Sequence, residues 1–176
     1  MKLHYRTSQF WKALHARPTK EQLNEARQVL NPELTGLFME MHPSEQAHSL
    51  EIFHTLVENG ETSNDLLAAA LLHDVGKSRY PLKVWERIVI VIGNALLPKM
   101  AREWGKSSPR GWRRPFVVSE QHALWGAQMA EKAGASLITI EIIRRHQDQT
   151  TINSLANSNH NTDILLNRLQ LLDNRY

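Results

Sequence analysis

Ser63-Asn-Asp-Leu-Leu-Ala-Ala-Ala-Leu-Leu-His-Asp-Val-Gly-Lys77 opens on three residues that cap helices and closes near a glycine that ends them. Between the caps and Gly76, the run from Leu66 to Val75 is apolar almost all round. A helix without a solvated face belongs at the centre of a fold, so this stretch predicts a buried central helix with His73 and Asp74 at its end.

Helical punctuation continues on both sides of it, and sustained two-residue alternation is absent. Upstream, Thr19 with Gln22 forms a capping box for a helix that runs to about Leu30, where Asn31-Pro32 stops it. A short helix over Pro32 to Met41 follows, then one from Pro43-Ser44 that carries His48, Ile52, Phe53, Leu56 and Val57 and stops at Asn59-Gly60. Downstream, Pro81 to about Glu103 predicts one helix kinked near Pro98, although the β-branched run Ile88-Val-Ile-Val-Ile is also compatible with a strand. Ser119 is read as the cap of a helix to Lys132, Ser136 as the cap of one reaching His146, and Thr162-Asp163 as the cap of the last. Gly105 to Pro115 and Gln149 to Asn161 read as loops. The expected fold is all-α, a single compact bundle of about six or seven helices.

A chain of 176 residues, 41% hydrophobic, 22% charged and with only 8 Gly and 7 Pro, has the composition of one globular domain. Its longest apolar stretch, Ile88 to Leu97, is broken by Gly93 and Asn94 and falls short of the roughly 20 residues that span a bilayer. No secretory signal is legible, and a cytoplasmic location with no membrane partner is expected. Without cysteine, any metal must rest on nitrogen and oxygen ligands. The formal charge of +3 argues against nucleic acid as partner. Cations concentrate in Lys99 to Arg114, with Trp104 and Trp112 among them. That segment reads as a lid, an interface or a plain loop, and Arg110, Arg113 and Arg114 are its candidates for capturing an anionic substrate.

Six potential ligands lie on five of the expected helices: His48, His73, Asp74, His122, His146 and Asp173. Taken singly, each histidine reads as an ordinary partly buried side chain bonded to a carbonyl. Together they share a context, since His48 lies on a face with Ile52 and Leu56, His73 with Leu66, Ala69 and Ala70, His146 with Ile142 and Ile143, and Asp173 with Leu166 and Leu169. An ionised Asp at the end of such a stripe costs several kcal/mol to bury unpartnered, so Asp74 and Asp173 require cations or hydrogen bonds. Four imidazoles and two carboxylates could satisfy one another around a metal.

The stretches His48-Ser-Leu-Glu-Ile-Phe, Leu71-Leu-His-Asp-Val-Gly-Lys77, His122-Ala-Leu-Trp-Gly-Ala127, Ile143-Arg-Arg-His146 and Leu169-Gln-Leu-Leu-Asp173 resemble the HD superfamily of metal-dependent phosphohydrolases. The resemblance covers residues 44 to 176 and leaves 1 to 43 as an N-terminal helical extension of the same domain. It implies that His48, His73, Asp74 and Asp173 bind a principal metal, and that His122 and His146 bind a second with Asp74 bridging. Within the superfamily the pattern is most similar to small bacterial enzymes that split diadenosine tetraphosphate, although those usually continue past the last Asp. The segment after His146 lacks the Asp-Gly-x-Gly-Tyr-Pro signature of cyclic-di-GMP phosphodiesterases.

The implied function is hydrolysis of a nucleotide or other small phosphate ester by metal-activated water, with two divalent ions, iron or manganese ahead of zinc. Two such ions about 3.5–4 Å apart clamp the attacking and leaving oxygens of a phosphoryl group. Asp74 and Lys77 are the catalytic candidates. Lys77, three residues after Asp74, can meet a phosphate oxygen or neutralise a helix C-terminus. Of Arg144 and Arg145, also candidates for substrate, at most one shares the side of His146. His4, His15, His42, His54 and His160 fall outside the pattern. The alternative is a non-catalytic sensor or binding module for a nucleotide, nucleic acid or protein partner. The sequence does not decide the oligomeric state.

Overall fold

The computed structural model describes residues 16–148 and 161–175. Those residues form nine α-helices and no strand: α1 (Lys20–Val29), α2 (Pro32–Glu40), α3 (Pro43–Glu58), α4 (Asn64–Leu72), α5 (Val84–Leu96), α6 (Pro98–Gly105), α7 (Arg114–Lys132), α8 (Leu137–Arg145) and α9 (Asn161–Asp173). Two short 3-10 turns, Val75–Arg79 and Gly111–Arg113, complete them.

Local chemistry sets most boundaries. Thr19 and Gln22 close the capping box reciprocally, at 2.9 and 3.3 Å. The Asn31 side chain accepts from Leu34 N at 2.7 Å, with Pro32 in the first turn. Ser63 and Ser136 cap α4 and α8 through their hydroxyls. Gly60 and Gly134 take positive φ just past α3 and α7, the left-handed conformation in which these helices stop.

α4 is the central helix. Leu66, Ala69, Ala70, Leu71 and Leu72 have no exposed surface and join one apolar cluster with residues from α1, α2, α3, α7, α8 and α9. Ala26, Leu34 and Phe38 belong to that cluster, so the N-terminal helices pack on the same core as the ligand-bearing ones. A smaller cluster of Val117, Val118 and Trp125 takes Tyr80 and Leu82 against it.

The structure corrects four details. The helix expected over Pro81 to Glu103 is two, because Leu97 turns out of helical geometry (φ −137°, ψ 53°) where Pro98 starts α6. The Ile88 to Ile92 run is helical, which removes the strand reading. α7 begins at Arg114 and not at Ser119, since Pro115 fits the first turn, where its missing N–H has no partner to lose. The central helix ends at Leu72, and the chain tightens into a 3-10 turn after Asp74. These splits raise the helix count above the expected six or seven. The loop read over Gln149 to Asn161 lies outside the described residues except for Asn161, which starts α9. Among the described residues, no helix is long and apolar enough to cross a membrane.

Candidate metal centre

Three of the six expected ligands sit where helices end. His73 is the C-cap of α4, His146 the C-cap of α8, and Asp173 the last residue of α9. Asp74 follows His73 in the sparsely occupied bridge region (φ −94°, ψ 0°), which lifts its carboxylate off the helix axis. His48 comes from the middle of α3 and His122 from α7. The apolar stripes bury the helix shafts in one core, so the polar residues at their ends meet.

Their side-chain heads are in contact. His48 Nε2 lies 2.9 Å from Asp173 Oδ1, and His73 Nε2 lies 3.6 Å from the same oxygen and 3.7 Å from Asp74 Oδ2. On the other side, His122 Nε2 stands 3.1 Å from Asp74 Oδ1 and 3.2 Å from His146 Nε2. Two triads result, His48–His73–Asp74 and Asp74–His122–His146. Each has ligand atoms within 4.8 Å of one another, and Asp74 is common to both.

Three of the imidazoles are held in the same way. His73 Nδ1 contacts Ala70 O at 2.9 Å, His146 Nδ1 contacts Ile143 O at 2.8 Å, and His122 Nδ1 contacts Val118 O and Ser119 O at 3.1 and 2.9 Å. A carbonyl oxygen only accepts, so Nδ1 carries the proton and each neutral ring aims its Nε2 lone pair into the site. His122 and His146 then point two lone pairs at each other, an arrangement that a shared proton or a metal ion resolves. His73 Nε2 is buried and makes no hydrogen bond. The donor set therefore fits a divalent metal, with imidazole and carboxylate ligands suited to iron, manganese or zinc.

The same demand for positive charge shapes the titration of the metal-free site. Burial opposes protonation of His73, but the carboxylates of Asp74 and Asp173 overcome it and raise the ring to about 9. Burial, reinforced by the neighbouring His122 and His73, lowers His146 to about 3. Asp74 and Asp173 are held well below the usual carboxylate range despite burial: Asp74 by Lys77, His73 and His122, Asp173 by His48 and His73. Lys77 Nζ donates to Asp74 Oδ2 at 2.6 Å, and Asp74 with Glu45 raises its pKa against the cost of burial.

A pH dependence with a definite sign follows. The raised His73 contributes stability below its unfolded value of 6.5 and loses it as pH rises toward 9, while the depressed His146 costs stability as pH falls from 6.5 toward 3. Metal-free protein should therefore be most stable near pH 6.5, and thermal scans in chelator across the pH range check this. A metal displaces the His73 proton, so its stabilising effect should grow between pH 6.5 and 9. A stabilisation that is flat over that interval would remove His73 from the ligand set.

A cavity of about 390 Å³ opens on this cluster and is lined by His48, Asp74, Lys77, His122, His146 and Asp173. Glu45, Arg87 and Ser119, which are not among the expected site residues, also line it. Glu45 had a usable signal, since it precedes His48 by three residues and so shares its face of α3. Arg87, on α5, pairs with Glu45 at 2.8 Å, a contact across 42 positions that no local pattern announces.

The expected arginines stand elsewhere. Arg114 pairs with Glu86, whose side chain is only 4% exposed, and also donates to Pro81 O. Arg113 lies over the Trp112 ring, and Arg110 is exposed. Arg145 is bound to Asp163 at 2.9 Å and flanked by Glu141 and Asp148. Arg144 lines a second cavity, with Arg102, that shares Ser119 and Gln147 with the first. His42 caps α3 and His54 pairs with Glu25, both away from the cluster.

The family model of the HD domain matches residues 46–174, a span that contains all six clustered ligands. The chain belongs to the HD domain family. No curated protein and no solved structure matches it. HD proteins are mostly metal-dependent hydrolases that act on phosphate substrates, and this HD protein carries a His/Asp cluster able to hold a metal.

Proposed function

We propose that this HD protein is a metal-dependent phosphohydrolase of a small phosphate ester, with a nucleotide as the expected substrate class. The observation that carries the reading is the position of Asp74 between two ligand triads, its two carboxylate oxygens divided between His122 and the His73–Lys77 side. In this reading His48, His73, Asp74 and Asp173 hold one ion, and Asp74, His122 and His146 hold the other, with iron or manganese ahead of zinc. Such ions supply a water of lowered pKa and neutralise charge on the phosphoryl group.

The chain's own residues do the rest. Asp74 is fixed by its backbone position and by Lys77, and Lys77, on the cavity wall, offers its ammonium to a phosphate oxygen. Leu82, Ile90 and Val91 form an apolar wall that suits the organic part of the ester, and 390 Å³ is at the small end for ligand cavities. Through Ser119 and Gln147 a longer substrate would reach Arg102 and Arg144 in the adjoining cavity. Arg110, Arg113, Arg114 and Arg145 do not line this cavity. We read residues 1–176 as one domain, since α1 and α2 of the N-terminal extension pack on the same apolar core as the HD helices.

The test is metal analysis of purified protein followed by a screen of phosphomonoesters, dinucleoside polyphosphates and cyclic nucleotides with manganese or ferrous iron. Turnover of at least one class is expected only with metal. Lys77→Ala should keep its metal and lose roughly 10- to 100-fold in kcat/KM, the range for a residue that supports a metal site or grips one phosphate oxygen. Tight nucleotide binding without turnover would make the protein a sensor, and failure to retain any divalent ion would overturn the reading.

A further inference from the structure

α5 is built inside out. On a helical wheel at about 100° per residue, Val84, Trp85, Ile88, Val91, Ile92, Ala95 and Leu96 cover an arc of about 140° with no charge or hydrogen-bonding side chain except the indole. That arc faces solvent: Trp85 is 53% exposed, Ile92 52% and Leu96 72%. The residues of α5 that are buried are Glu86 and Gly93, opposite the apolar arc. Leu97 and Met100 extend the exposed surface around the corner into α6. Folding thus leaves a strongly aliphatic helix with its apolar side uncovered, a surface that marks an interaction site.

Charge selects the occupant. Residues 82–114 contain eight Lys and Arg against Glu86 and Glu103, whereas the whole chain has 21 against 18, so the rest of the molecule is acidic. Glu86 is already neutralised by Arg114 and Glu103 by Lys106. Exposed Lys83 and Lys99 flank the apolar arc at its two ends, and Arg110, Arg113 and the half-exposed Trp112 continue the basic side. A two-fold dimer through this face would press two cationic segments together. Aliphatic Val, Ile and Leu give nucleic-acid bases nothing to stack on. A featureless apolar strip with a Trp near one end and a basic border is instead the pattern of a helix that lies in a membrane interface.

We propose that the α5–α6 face docks this protein onto an anionic lipid surface, with α5 lying in the interface plane and Lys83 and Lys99 against the headgroups. The protein lies on the bilayer in this arrangement and does not span it. Val91 of this arc also lines the metal cavity, but Ile92 and Leu96 do not, so variants at those two positions test the inference apart from the proposed hydrolase activity.

The experiment is flotation of the purified full chain with vesicles of phosphatidylcholine alone and of phosphatidylcholine with phosphatidylglycerol. Binding is expected only on the anionic vesicles, with a blue shift in tryptophan emission that Trp85→Phe diminishes. The double variant Ile92→Glu/Leu96→Glu should abolish binding while keeping the thermal midpoint and metal content of the parent, since both side chains are exposed. Lys83→Ser and Lys99→Ser should each weaken it about fivefold, the effect of one cation near an anionic surface, and added salt should mimic them. Absence of binding to anionic vesicles, or binding that survives the double glutamate variant, overturns the proposal. So does a dimer in vesicle-free sedimentation that the double variant dissociates, which would assign the face to a second copy.

Discussion

Asp74→Ala is expected to strip both metal positions and, on the proposed function, all hydrolysis in a single step. Asp74 belongs to both ligand triads, with one oxygen 3.1 Å from His122 and the other 3.7 Å from His73. No other clustered residue has that reach, so its removal halves neither site but breaks both. His122→Ala touches one triad alone and should leave one ion per chain where two are expected in the parent. The contrast between these variants, measured as metal per chain and as rate, separates a shared ligand from two unrelated histidine clusters. Because Ala also leaves the Lys77 ammonium without its 2.6 Å partner, Asp74→Asn provides a variant of the same shape. In Asn the acceptor charge is gone, so His73 should titrate well below its value of about 9 in the metal-free protein. Equal metal loss in Asp74→Asn and His122→Ala would deny the bridging role, and an unchanged His73 titration would deny the contact.

Why the His/Asp cluster was legible and other parts were not is a matter of where the information lies. His48, His73, His146 and Asp173 each end an apolar stripe on their own helix, and burying the stripe brings its polar end inward. That is a local pattern, and the structure brings these residues together with Asp74 and His122. Caps were legible for the same reason, as Thr19–Gln22, Ser63 and Ser136 act within a turn of themselves. Ser119 misled because α7 starts five residues earlier at Arg114, with Pro115 in its first turn, leaving a good capping residue inside a helix. The arginines depend on partners that the local sequence does not name. Charge density in Lys99 to Arg114 says that an anion is wanted, but not which one, and Arg114 finds its anion in Glu86, 28 positions away and buried. The direction of α5 was illegible altogether. Its aliphatic run scores as helix and as core, while the residue that turns inward is the carboxylate, held there by Arg114.

Gly76→Ala is expected to be the most damaging single-methyl change in the protein. A Cβ at Gly76 would stand 1.9 Å from His122 O, 2.6 Å from Gly126 N and 2.8 Å from His122 C. These are backbone atoms of α7, and no rotamer change moves them. The turn over Val75–Arg79 must therefore retreat from α7, which opens the contact that lets Asp74 meet His122. Overpacking of this kind costs on the order of 3 kcal/mol or more, and here it also separates a ligand pair. Two readouts should move together: a drop in the denaturant midpoint and loss of the ion held by Asp74, His122 and His146. Gly36→Ala is the matched control, since a Cβ there meets nothing within 4 Å and Gly36 lies inside α2. Ala is the better helix former, so that variant should gain up to about 1 kcal/mol. If Gly76→Ala keeps the parental midpoint and metal content, the turn is not wedged against α7, and the close approach that positions Asp74 has to be sought elsewhere.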